Sequence, residues 1–144
     1  RTQTIKDDFI MEFNLTRESF SRDRSVKCIL SYDDVRSDNA CILYFDSEYG
    51  KSTFIAADLF SALEKVRSYW EDKGFLILCA GSKPNTYPSR MSRQMSNGRK
   101  AYVHTFGIKP DKDDIIDIFE PIKFEEASTL RDQEKFMAEW YSSF

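Results

Sequence analysis

The chain has 144 residues, 41% apolar and 15% aromatic, with 21 basic and 24 acidic side chains and a net charge of −3. That size fits one domain around one core, and the apolar share excludes wholesale disorder. No apolar run approaches the roughly 18 residues of a membrane span, and a pI of about 5.3 argues against a nucleic-acid partner held through phosphate contacts.

The opening, RTQTIKDDFIMEFNL, contains neither a signal-peptide core nor an initiator Met, so the expectation is a chain trimmed or tagged at its start. Residues 9–15 alternate and predict a strand with Phe9, Met11, Phe13 and Leu15 on one face. Residues 16–25 are polar and predict a loop. Val26–Tyr32 and Ala40–Phe45 predict two strands of a hairpin, with Asp33-Asp34 and Ser37-Asp38-Asn39 supplying turn chemistry at an acidic tip. Ser47-Glu48-Tyr49-Gly50 predicts another turn, followed by a short strand over Ser52–Ile55.

Residues 57–73 carry the strongest helical signal: Leu59, Leu63, Val66 and Trp70 fall on one stripe. Asp58 suits the positive helix N-terminus and Gly74 the left-handed position that ends it. Phe75–Cys79 is continuously apolar, which predicts a central strand buried on both faces. Within residues 89–97, Ser89 predicts a cap for a short helix. Lys100–Phe106 alternates and predicts a strand; Asp111–Glu120 predicts a turn and then a strand. Residues 128–144 predict a second amphipathic helix, with Thr129 and Asp132 as its capping pair. The expected fold is a single α+β domain over residues 1–144, with a mainly antiparallel sheet.

The cysteines Cys28, Cys41 and Cys79 all lie in apolar runs, which predicts buried reduced thiols and a cytoplasmic protein. Without a CxxC spacing, and with His104 the one histidine, no metal site and no cofactor are expected. His104 is the one side chain that titrates near neutral pH, and a Cys79–His104 dyad is geometrically conceivable. On an alternating strand between Tyr102 and Phe106, however, a histidine is more often structural than catalytic, and no enzymatic activity is expected. The paired acids Asp33/Asp34, Asp113/Asp114 and Glu125/Glu126 match no calcium-loop spacing.

Charge is segregated. No Asp or Glu occurs from Gly74 to Pro110, an interval holding Lys83, Arg90, Arg93, Arg99, Lys100 and Lys109. Setting aside those six positive charges leaves −9 for the remaining residues. Lys83, Arg90, Arg93, Arg99 and Lys100 form a candidate anion or nucleic-acid site, with Tyr87 or Tyr102 for stacking. The alternative is that these cations pair with the protein's own acidic turns.

One segment resembles a known family. Cys79, Gly81, Ser82, Tyr87, Pro88, Ser89, Met91, Arg93, Met95, Gly98, Lys100, Ala101 and Tyr102 fit a C-x-G-S-x-x-x-x-Y-P-S-x-M-x-R-x-M-x-x-G-x-K-A-Y core. That core is similar to one in small bacterial proteins associated with immunity to polymorphic toxins and contact-dependent growth inhibition. The resemblance covers about a third of the chain and brings no catalytic residue with it; it implies a motif that serves the fold, with Met91 and Met95 as the packing face of the short helix. It implies a cytoplasmic protein that binds a cognate protein toxin, such as a nuclease, and occludes its active site. A basic toxin would be steered by acidic turns, so Asp33, Asp34, Asp38, Asp46, Glu48, Asp111, Asp113 and Asp114 are the candidate contacts. The anion-binding loop is the second reading, and an enzyme built on His104 the third.

Overall fold

A computed structural model of the chain describes residues 2–5, 9–14, 22–35 and 40–144. The fold is α+β, with all strand pairings antiparallel. The larger sheet contains β1 (Thr2–Thr4), β2 (Phe9–Asn14), β3 (Arg22–Val35), β4 (Ala40–Ser47), β5 (Gly50–Ala56) and β6 (Phe75–Ile77). Its order is β5-β4-β3-β2-β6, with β1 also paired to β3. A smaller sheet joins β7 (Thr86–Tyr87), β8 (Lys100–Val103) and β9 (Ile115–Asp117) in the order β7-β8-β9. The α-helices among the described residues are α1 (Leu59–Glu71), α2 (Arg90–Met95) and α3 (Leu130–Tyr141). None is long and apolar enough to cross a membrane.

Alternation decides which sheet face is buried. Val26, Cys28, Leu30 and Tyr32 of β3 join Cys41, Leu43 and Phe45 of β4 under α1. Leu59, Leu63, Val66 and Trp70 cover them from the helix, as the stripe predicts. Met11 is fully buried and its neighbour Ile10 exposed, again as predicted. Leu15 and the side chains of Phe9 and Phe13 lie outside the described residues. All three cysteines are buried.

Four local expectations are corrected. Residues 22–25 belong to β3 rather than a loop, because they pair with β2. Asp33 and Asp34 also belong to β3 rather than to a turn. Asp33 pairs across to both Thr2 and Ile42, and its carboxylate accepts a 2.6 Å hydrogen bond from the Tyr44 hydroxyl. Cross-strand partners thus override the turn preference of Asp. The tip residues 37–39, Asp38 among them, lie outside the described residues, as do residues 16–21 of the expected loop.

The third correction concerns β6, which lies at the edge of its sheet and not at its centre. It is nonetheless buried on both faces. Phe75 and Ile77 enter the main core, while Leu76 and Leu78 pack with Phe124 in a second cluster. Beyond β6, the segment from Ile118 to Ile122 closes over the chain. Ala80 N–H donates to Glu120 O at 2.7 Å and Gly81 N–H to Ile118 O at 2.8 Å. Fourth, β8 ends at Val103 instead of Phe106, because the chain turns through a Thr105–Ile108 bridge and Gly107 at φ +75°.

Candidate functional site

The basic segment folds back onto the N-terminus of α1. The first turn of a helix leaves backbone N–H groups without helical partners. Here the Asp58 side chain accepts from Ser61 N–H at 2.8 Å, and Asn97 O accepts from Leu59 N–H at 2.8 Å. Arg93, reaching across from α2, donates to Asp58 Oδ1 and Oδ2 at 3.1 and 2.9 Å and to Ser61 Oγ at 3.1 Å. Its guanidinium also lies over the Phe60 and Tyr87 rings, 5.4 Å from each centroid. The chain reaches this position through Asn97 and Gly98, both at positive φ (56° and 77°). A Cβ on Gly98 would stand 3.0 Å from Asp58 Oδ1 and from Phe60 N.

Arg99 repeats the arrangement one element later. Its Nε donates to Asp117 Oδ2 at 3.0 Å and its Nη1 to the Tyr32 hydroxyl at 2.8 Å, between the Tyr32 and Phe119 rings. Lys100 lies 4.0 Å from Asp117, and Lys83 is 4.0 Å from Glu126. Of the five candidate anion-binding cations, Arg90 alone has no carboxylate at ion-pair distance among the described residues. The other four do not converge on a common point; each sits against an acid of its own fold.

Met91 and Met95 do not form the packing face of α2. They are 65% and 78% exposed, because Arg93 faces inward instead. The 3.6-residue period identifies which residues share a face, but a six-residue helix can be held by a salt bridge as readily as by an apolar stripe.

His104 and Cys79 have separate partners. The His104 ring packs edge-on to Trp140 at 4.5 Å with Nδ1 3.1 Å from Asn85 O, and burial lowers its pKa. Cys79 is wholly buried, 3.9 Å from Ser82 Oγ, and burial pushes its thiol up to about 11. A thiol held protonated in that way is a poor nucleophile.

The acidic candidates fall on separate elements. Asp33 and Asp46 lie on the sheet face opposite α1, while Asp34 lines a cleft of about 450 Å³ beside Asp58 and Arg93. Tyr44 holds the Asp33 carboxyl below its ordinary pKa. Glu48, at the β4–β5 turn, pairs with Arg24 at 3.1 Å. Asp111, Asp113 and Asp114 share a tight turn in which Asp111 accepts from Asp113 N–H and Asp114 accepts from Asp111 N–H, both at 2.9 Å. No group of three potential metal ligands occurs among the described residues.

No family model and no curated protein matches this chain.

Two features escaped the sequence reading. The first is Arg67, which is fully buried. Its Nη1 donates to Gly81 O at 3.0 Å and to Gln133 Oε1 at 2.7 Å, and its Nη2 to Ser128 O at 3.1 Å. Gln133, also buried, donates to the carbonyls of Gly81, Lys83 and Thr86. The signal was present, since residue 67 falls within the stripe of Leu63, Val66 and Trp70. The second is a groove of about 820 Å³ between α1 and α3. It takes Ser61, Glu64, Lys65 and Ser68 from α1, and Leu130, Glu134, Ala138 and Tyr141 from α3. Each set recurs at helical spacing, but only tertiary packing brings the two sets together.

Proposed function

We propose that this chain is an immunity protein that binds a cognate toxin domain in the cytoplasm. It acts by covering the toxin's active site, without turnover or a cofactor of its own. The observation that carries this reading is the way charge divides once the chain is folded. Arg93, Arg99, Lys100 and Lys83 are drawn against Asp58, Asp117 and Glu126. Residues 111–144 contain ten acids and four cations, a net −6. Glu120, Glu125, Asp132, Glu134 and Glu139 are exposed there and have no ion-pair partner among the described residues. An excess of exposed acid of that kind raises the encounter rate with a basic protein and disfavours nucleic acid. The likeness to immunity proteins across residues 79–102 supports the same reading. Under it the shared core serves the fold: Gly98, Ser89 and Arg93 lock α2 onto α1.

The test is co-expression of the tagged chain with the neighbouring upstream open reading frame, followed by affinity purification. The expected result is one stoichiometric partner that kills cells when expressed alone and is tolerated in the chain's presence. Recovery of no protein, or of RNA lost on Arg90→Ala and Arg93→Ala, would overturn the reading and favour the basic loop as the site.

A further inference from the structure

The groove between α1 and α3 is lined by two carboxylates, half-buried Glu64 and exposed Glu134. Glu64 is half-buried, and no described residue gives it a hydrogen bond or lies at ion-pair distance. Burial raises its pKa, opposed by Arg93 and Arg67 behind it and reinforced by Asp58 and Glu134. Lys65, the cation on the groove's own lining, donates to Ile55 O instead. Tyr87, Leu130, Met137 and Tyr141 give the groove apolar walls, and Tyr141 is exposed. A carboxylate in that position has lost part of its water without a hydrogen bond or close ion pair in return, so a cation entering the groove stabilises it. Long basic side chains fit both requirements, because their methylene stems lie on apolar surface while the charged head meets an acid.

We propose that this groove is the docking site for an arginine or lysine side chain projected by the protein partner, held between Glu64 and Glu134 with its stem against Tyr87, Met137 and Tyr141. The inference rests on the toxin-binding reading and assigns that reading a surface. The groove volume suits one or two side chains rather than a folded element, so it serves as an anchor within a larger contact. Central anchors in desolvated pockets commonly dominate such interfaces, and arginine is enriched among them.

The test uses the whole ¹⁵N-labelled chain titrated with an amidated Leu-Arg-Leu-Lys peptide, and with Leu-Glu-Leu-Glu as control. Amides of residues 61–68 and 130–141 should shift with the basic peptide and stay still with the acidic one. Affinity should fall at least tenfold in the Glu64→Gln/Glu134→Gln variant, which keeps the shape of the groove. Shifts on the open sheet face, no shifts, or unchanged affinity in the variant would each overturn the assignment. So would concentration-dependent self-association abolished by the same variant, because the groove would then belong to a second copy. A co-purified toxin that binds wild type and variant equally would sink the groove while leaving the immunity reading intact. Absence of any protein partner, with the peptide still bound, would do the reverse.

Discussion

The α2–α1 junction and the α1–α3 groove lie on the same helix and treat charge in opposite ways. At the junction, Arg93 meets a carboxylate, a hydroxyl and two aromatic rings, and Asp58 is used twice, by a backbone N–H and by the guanidinium. In the groove, Glu64 is partly withdrawn from water with no hydrogen bond or close ion pair among the described residues, and only the longer-range pull of Arg93 and Arg67 acts on it. A fold that satisfies one acid so thoroughly and leaves another, nearly two helical turns away, without a hydrogen bond distinguishes structure from availability. The difference also separates groups whose loss unfolds the chain from groups whose loss leaves it folded.

The largest effect is expected at Arg67. Arg67→Met removes the donor shared by Gly81 O, Ser128 O and Gln133 Oε1 and leaves Glu71 with its cation gone. Breaking a buried charge network by removing one partner costs about 3–5 kcal/mol, to be read as a lower midpoint in urea. Next comes Gly81→Ala. Its new Cβ would stand 2.5 Å from Leu63 Cδ2 and 3.3 Å from Ile118 Cβ, in a part of the core where Leu63 is fully buried. Overpacking of that kind costs about 1–3 kcal/mol, measurable in the same unfolding experiment.

Glu64→Gln sharpens the contrast, because its sign is reversed. A folded-state pKa raised above 4.5 means that the folded chain holds this proton more tightly than the unfolded chain. Glu64 therefore favours folding below the ordinary carboxylate pKa and loses that contribution as pH rises through its folded value. The amide variant should melt slightly higher than wild type at pH 7 and at the same temperature near pH 3. A variant less stable at neutral pH would show that Glu64 is a structural partner and not a vacant one. The smallest effect belongs to Met91→Ser and Met95→Ser, which should change stability by less than about 0.5 kcal/mol. A larger loss would mean that α2 packs through its methionines after all.

Much of the fold was legible because its signals are local. Asp58, Ser89 and Thr129 each accept from a backbone N–H three residues on, as cap chemistry requires. The stripe of α1 and the alternation of β3 and β4 likewise depend on neighbours along the chain. What escaped depends on distant pairings. Asp33-Asp34 looks like a turn until Thr2 and Ile42 pair with it. The run from Phe75 looks central because burial on both faces has the same sequence signature whether a strand or a loop closes the far side. The acidic contacts chosen from turns proved dispersed, and Glu64 and Glu134 could not be paired before the helices were placed.

Arg67 also imposes an order on how the molecule assembles. Its partner Gln133 lies 66 residues later in the chain. At synthesis rates of about 5–20 residues per second, roughly 3–13 s separate the two during translation. Throughout that interval α1 can fold onto β3 and β4, yet its guanidinium still lacks the side-chain acceptor that completes its burial. The same helix, α3, supplies both the Gln133 acceptor for Arg67 and one wall of the groove. Until residues 130–141 have been made the sheet can form, but the groove between α1 and α3 cannot.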